Sequence, residues 1–126
     1  MKTAASIFTG LVAFIHAYIL VLESFLWTTA YGLKTFNLTP ERAELTAVMA
    51  QNQGAYNGFL AAGLIWSFFI GDAVWKRNVR LFFLGGVFVM GIVGAATAMM
   101  KILFIQSVPA LIAMALVYFA SRSNKN

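Results

Sequence analysis

"AQNQGAYNGFLAAGLIWSFFI" occupies residues 50–70. Its second half is as apolar as the inside of a lipid bilayer, broken by Ser67 alone among hydroxyl, amide and charged side chains. Its first half carries Gln51, Asn52, Gln53 and Asn57 within two helical turns. A stretch that opens on four carboxamides and continues as hydrocarbon reads as a membrane helix with a polar site at one level of its depth.

The rest of the chain has the same character. Of 126 residues, 61% are hydrophobic and 10% charged, and the mean hydropathy is +0.82. So few charges cannot cover a soluble domain of this length. The apolar residues fall into four blocks, roughly residues 4–27, 54–70, 81–100 and 108–120. Each is near the ~20 residues that cross ~30 Å of hydrocarbon. The prediction is an all-α integral membrane protein, a single domain over residues 1–126 folded as a bundle of four transmembrane helices. The first block is expected to be a retained helix and not a cleaved signal. It is long, holds His16 and Glu23, and ends at Trp27 without a small-x-small site.

Four spans place both termini and the second loop on one side. That side carries Lys2, Lys76, Arg77, Arg80, Arg122 and Lys125, against Lys34 and Arg42 opposite and Lys101 near that edge. Short basic loops stay in the cytoplasm. Both termini are therefore expected in the cytoplasm, with the chain crossing the bacterial inner membrane several times. Asp72, Lys76, Arg77 and Arg80 read as a solvated cytoplasmic loop, and no nucleic-acid partner is expected. Thr39-Pro40-Glu41 is a helix start: a capping hydroxyl, Pro at the first position and an acid in the first turn. Nothing before Ile70 forces a stop, so the second helix is expected to begin outside the membrane and run in unbroken. Ser107-Val108-Pro109 marks another start. The third helix is expected to reach about Phe104, with Lys101 inside it.

In lipid, helices associate through small residues that let backbones approach. Gly54, Gly58 and Ala62 form one such ridge, and Gly91 with Ala95, beside Gly94 with Ala98, forms another. A tight bundle is the expected use. A homo-oligomer through the Gly85-Gly86 face is the alternative.

Depth organises the polar residues. On a first helix running outward, Glu23 falls in the outer third and His16 near the middle. Asn52, Gln53 and Asn57 enter at that outer level on the second helix. Thr97 and Lys101 reach it on the third, and Gln106 at the turn into the fourth. The inner half is almost bare apart from Thr9 and Ser67. Glu23 and Lys101 are predicted to pair, because a lone charge at this depth costs ~3 kcal/mol on insertion scales. The expected ligand-binding set is Glu23, Asn52, Gln53, Asn57, Lys101, Gln106, His16, Thr97 and Tyr56, with Trp27 as a further wall. Each has a plainer reading: an ion pair for Glu23, snorkelling for Lys101, a satisfied core histidine for His16, interhelical glue for the carboxamides. No nucleophile–base pattern appears. With no cysteine and one histidine, no metal site and no cofactor are expected.

The blocks "NQGAYNGFLAAGL" (residues 52–64), His16 with Glu23 seven residues on, and "GIVGAATAMMKILFIQSVPA" (residues 91–110) resemble the domain-of-unknown-function 1304 family. The resemblance implies a small bacterial four-helix membrane protein and no particular reaction. The string "AQNQGAYNGFLA" is also similar to the second helix of the membrane-associated eicosanoid and glutathione metabolism proteins. There an Arg precedes the Asn and a Glu follows it, and this chain has neither. Three functions compete. The leading one is a protein that binds or transports a small polar or cationic solute, with proton coupling as one form of it. A membrane enzyme on a lipid or glutathione-type thiol substrate comes second, and a structural subunit of a membrane complex third.

Overall fold

The computed structural model describes residues 1–122, so Lys125 of the basic set lies outside the described residues. The described residues form five α-helices and no strand: α1 (Lys2–Phe25), α2 (Ala30–Phe36), α3 (Pro40–Phe69), α4 (Ala73–Thr97) and α5 (Val108–Arg122). A π-helical turn, Leu103–Ser107, opens directly into α5. Three segments are long and apolar enough to cross a membrane: Lys2–Phe25, Ala73–Thr97 and Leu103–Arg122. α3 is longer still, 30 residues, or about 45 Å at ~1.5 Å per residue. Its polar first half keeps it outside that set. Large apolar side chains stand exposed on all four long helices, among them Phe14, Phe69, Phe82 and Phe119. Such surfaces suit hydrocarbon and are a liability in water.

The helix starts follow local chemistry. Thr39 Oγ1 accepts the Arg42 N–H at 3.3 Å, and Pro40 opens α3. The Glu41 carboxyl is held below the usual carboxylate range by its own backbone N–H and by the Thr39 hydroxyl. α3 then runs without interruption through Gln51, Asn52, Gln53 and Asn57. Asp72 caps α4, its Oδ1 accepting the Trp75 N–H at 2.8 Å. This corrects the expected loop, because Lys76, Arg77 and Arg80 occupy the opening turns of a helix. α2 was not foreseen. Thr29 Oγ1 accepts the Gly32 N–H at its start, and Asn37 closes it in the left-handed region at φ 53°. Gly32 has no alternative there, since a Cβ would run into the Leu26 carbonyl oxygen.

The chain divides into two compact units, His16–Phe59 and Met1–Ile15 together with Leu60 onward. The second has a core of Val12, Leu64, Leu84, Val87, Ala110 and Ala113, all nearly inaccessible. In it α4 ends earlier than expected. Ala98 leaves helical geometry at φ −121°, ψ −72°, and the Ala98 and Met99 N–H groups both donate to the Gly94 carbonyl. Lys101 is thus past the end of α4, at the start of the helical run that leads through the π turn into α5, with its side chain exposed. The cause is packing of the returning chain. A Cβ on Gly94 would sit 2.9 Å from Ile102 Cγ2, and one on Gly91 would meet Ser107 Oγ and, at 2.9 Å, the Ser107 nitrogen. Ser107 Oγ donates to the Phe88 carbonyl at 2.9 Å. The π turn has its own reason. Pro109 lacks an N–H and would crowd an ordinary α-helical turn before it. The Val108 N–H instead reaches the Leu103 carbonyl, five residues back, as a widened π turn allows.

Candidate functional site

The polar residues of His16–Phe59 are arranged by two glycines. A Cβ on Gly54 would run into Ser24 Oγ and lie 3.3 Å from Glu23 Cβ, and one on Gly58 would lie 3.1 Å from Leu20 Cδ2. α1 and α3 therefore approach almost to backbone contact, as small-residue ridges permit. One turn below Gly54 the buried Asn57 meets Glu23. Its Nδ2 donates to Glu23 Oε2 at 2.8 Å and to the Gln53 carbonyl at 3.1 Å. Both amide hydrogens are used. The bond to Gln53, four residues back on the same helix, fixes the amide, and the fixed amide aims at the carboxylate. Asn57 thereby holds one Glu23 oxygen with a charge-assisted bond. Within this unit no cationic side chain pairs with Glu23, although Lys34 and Arg42 belong to it.

Glu23 also borders a cavity of about 150 Å³, with Ser24, Trp27, Thr28, Val48 and Gln51 around it. Trp27 forms a fixed wall. Its Nε1 donates to Thr46 Oγ1 at 3.1 Å, and its ring packs against Phe36 of α2 with centroids 4.5 Å apart. Thr46 is held in turn, its hydroxyl donating to the Arg42 carbonyl at 2.7 Å. A void of this size admits a molecule roughly as large as benzene. The cavity thus offers one carboxylate, the Ser24 and Thr28 hydroxyls, the Gln51 carboxamide and the Trp27 indole, which suits a compact cation better than an anion.

The predicted residues divide as follows. Glu23 and Asn57 come together, with Gln53 contributing its backbone carbonyl. The side chains of Asn52, Gln53 and Tyr56 are exposed. His16, two turns before Glu23 on α1, is buried at 1% exposure. Thr97, Lys101 and Gln106 belong to the other unit. Thr97 donates to the Val93 carbonyl of its own helix at 2.8 Å. Gln106 is half-buried on the π turn, its Cβ 3.1 Å from where a Gly91 Cβ would stand. Sequence reasoning missed Ser24 and Gln51 as lining groups. Neighbours such as Glu23 and Ser24 point apart on a helix, yet a cavity between helices can touch both. It also missed a buried Arg80. The signal was present: Asp72 is a capping residue, and the helix it starts carries Arg80 directly into "LFFLGG".

Residues 10–118 match the family described as "Protein of unknown function (DUF1304)". The chain is also 31% identical over 121 residues to the "Uncharacterized protein YpaA" of Lactococcus lactis subsp. lactis (strain IL1403). That alignment covers 94% of this chain and 100% of the relative. No solved structure matches.

Proposed function

The chain belongs to the DUF1304 family, and we propose that it is a multi-pass protein of the bacterial inner membrane that binds a small cationic solute at Glu23. The observation that carries this reading is one carboxylate on a helix of membrane-spanning length, held on one oxygen by Asn57 and opening on a cavity of about 150 Å³. Acids inside membranes are expensive and mark solute or proton paths. A solute cation completes the carboxylate, the indole face of Trp27 adds cation–π attraction, and Ser24 and Gln51 supply hydrogen bonds. Where the carboxyl exchanges its proton for the solute, binding becomes proton-coupled transport.

In this reading α3 is the fourth span. Its 30 residues reach across the hydrocarbon, with Phe59, Ile65 and Phe69 exposed along it. Four spans and the basic residues at Lys2, Lys76, Arg77 and Arg122 put both termini in the cytoplasm. The Glu23 cavity then opens toward the outer face, beside α2. Thermal unfolding of the purified protein with guanidinium, methylguanidinium or tetramethylammonium tests the function. A ligand at a hundred times its Kd stabilises by about 2.7 kcal/mol, so one of these cations raises the unfolding temperature of the wild type and leaves Glu23→Gln unmoved. Equal shifts in both proteins contradict the reading.

A further inference from the structure

The unit made of Met1–Ile15 and Leu60 onward contains a second polar feature, independent of Glu23. Arg80 is buried at 7% exposure. Its Nε donates to Ser67 Oγ at 3.2 Å and its Nη1 to Ser6 Oγ at 3.2 Å, while the guanidinium carbon stands 4.6 Å from the Phe68 ring centroid. Ser67 Oγ donates its own proton to the Leu64 carbonyl at 2.6 Å, so it meets Arg80 as an acceptor. All of these partners are neutral. The one acidic side chain among the described residues of this unit, Asp72, is used in capping α4.

A buried guanidinium without an anion is costly; among the described residues Arg80 meets none, and two of its five N–H donors are used. Arg80 also lines a cavity of about 540 Å³ that Lys2, Lys76 and Arg77 border. No acid lines it among the described residues, and its remaining wall includes Phe68, Val74 and Val117. Four cations converge on a pocket with apolar sides. The planar fork of arginine fits phosphate oxygens in pairs, and basic pockets between membrane helices on the cytoplasmic side take lipid headgroups.

We propose that this cavity binds the headgroup phosphate of an anionic phospholipid, with Arg80 as its buried anchor, Lys2, Lys76 and Arg77 at its rim, and the acyl chains along Phe68 and Val117. The phosphate supplies a counter-ion that the described residues do not. The apolar wall is what favours a lipid over a free anion, since inorganic phosphate has no use for it.

The test is native mass spectrometry and thermal unfolding of the delipidated full chain with added phosphatidylglycerol, phosphatidylcholine, inorganic phosphate or glycerol phosphate. The expected result is retention of phosphatidylglycerol and a rise in unfolding temperature with it, and neither with the other three. Arg80→Gln is expected to weaken phosphatidylglycerol binding about tenfold or more, and to leave the lipid-free protein no less stable, because it removes a buried charge. Arg80→Lys, which keeps the charge and loses the fork, falls between. A double substitution Lys76→Gln and Arg77→Gln leaves Ser6 and Ser67 untouched and is expected to weaken binding too, which keeps the test decisive if Arg80→Gln fails to fold. Equal effects of phosphatidylglycerol and phosphatidylcholine overturn the proposal. So does a full effect from inorganic phosphate or glycerol phosphate alone, which makes the site one for a soluble anion. An Arg80→Gln protein that folds but is less stable at every lipid concentration, with binding unchanged, reduces Arg80 to a structural hydrogen-bond donor.

Discussion

The close approach of α1 and α3 rests on Gly54, and Gly54→Ala measures it. The new Cβ would run into Ser24 Oγ, with the Ser24 nitrogen at 3.2 Å and Glu23 Cβ at 3.3 Å. The hydroxyl is the hard obstacle, while the nitrogen and Glu23 Cβ need give by only a few tenths of an ångström. Overpacking of this kind costs about 1–3 kcal/mol. The gain in helix propensity from Gly to Ala, about 1 kcal/mol, works against it, so a net loss of roughly 1 kcal/mol is expected. Removing the obstructing hydroxyl changes the sign of the comparison. Ser24→Ala alone is nearly neutral, and adding Gly54→Ala to it is neutral or slightly stabilising. The coupling between the two sites is then about 1–2 kcal/mol, well outside the ~0.3–0.5 kcal/mol within which independent mutations add. Denaturation of the four proteins in mixed micelles reads it. Additive effects mean that α1 and α3 do not touch at Ser24 and Gly54, and the geometry of the Glu23 site fails with them.

Asn57→Leu removes two hydrogen bonds, one to a carboxylate, and should destabilise by about 1–2 kcal/mol, between the membrane average of ~0.6 and the range for charged partners. Asn52→Leu and Gln53→Leu change exposed side chains and should cost less, and equal losses in the same micellar denaturation would deny Asn57 its special place. For topology, Lys34→Cys should react with a membrane-impermeant thiol reagent in intact cells and Asn78→Cys only after permeabilisation; the reverse pattern inverts the orientation. Glu41 has a lowered carboxyl pKa in the fold, against a usual 4.5. Its contribution is therefore present above that usual value and lost as pH falls through the lowered one. Amide exchange at Arg42 and Ala43 should speed up relative to mid-α3 on acidification through that window, and Glu41→Gln should remove the pH dependence.

Thr39-Pro40-Glu41 was legible because a cap, a proline and an acid act on the three or four residues beside them. Asp72 is as local a signal, yet the basic cluster after it reads as a loop until one asks which face of a helix would carry each charge. The burial of Arg80 depends on Ser6, 74 residues earlier, and no local pattern announces such a partner. The end of α4 at Thr97 is likewise imposed from a distance, by Ile102 and Ser107 folding back on Gly94 and Gly91, with no proline in the segment to mark it. At the candidate site the residue types were readable from the price of placing an acid and amides in an apolar helix. Which amide meets the acid was not, because the register set by Gly54 and Gly58 selects Asn57 and turns the side chains of Asn52 and Gln53 outward.

Occupation of the Glu23 carboxylate by a small cation is open to direct measurement. Calorimetric titration of the purified wild type, in two buffers of different ionisation enthalpy, with the cation that raises its unfolding temperature tests this most directly. One binding event per chain is expected, with the same affinity in both buffers once the heat of any exchanged proton is subtracted, and no binding heat in Glu23→Gln. Binding of the same strength to Glu23→Gln, or saturable binding to neither protein across the whole cation panel, contradicts it.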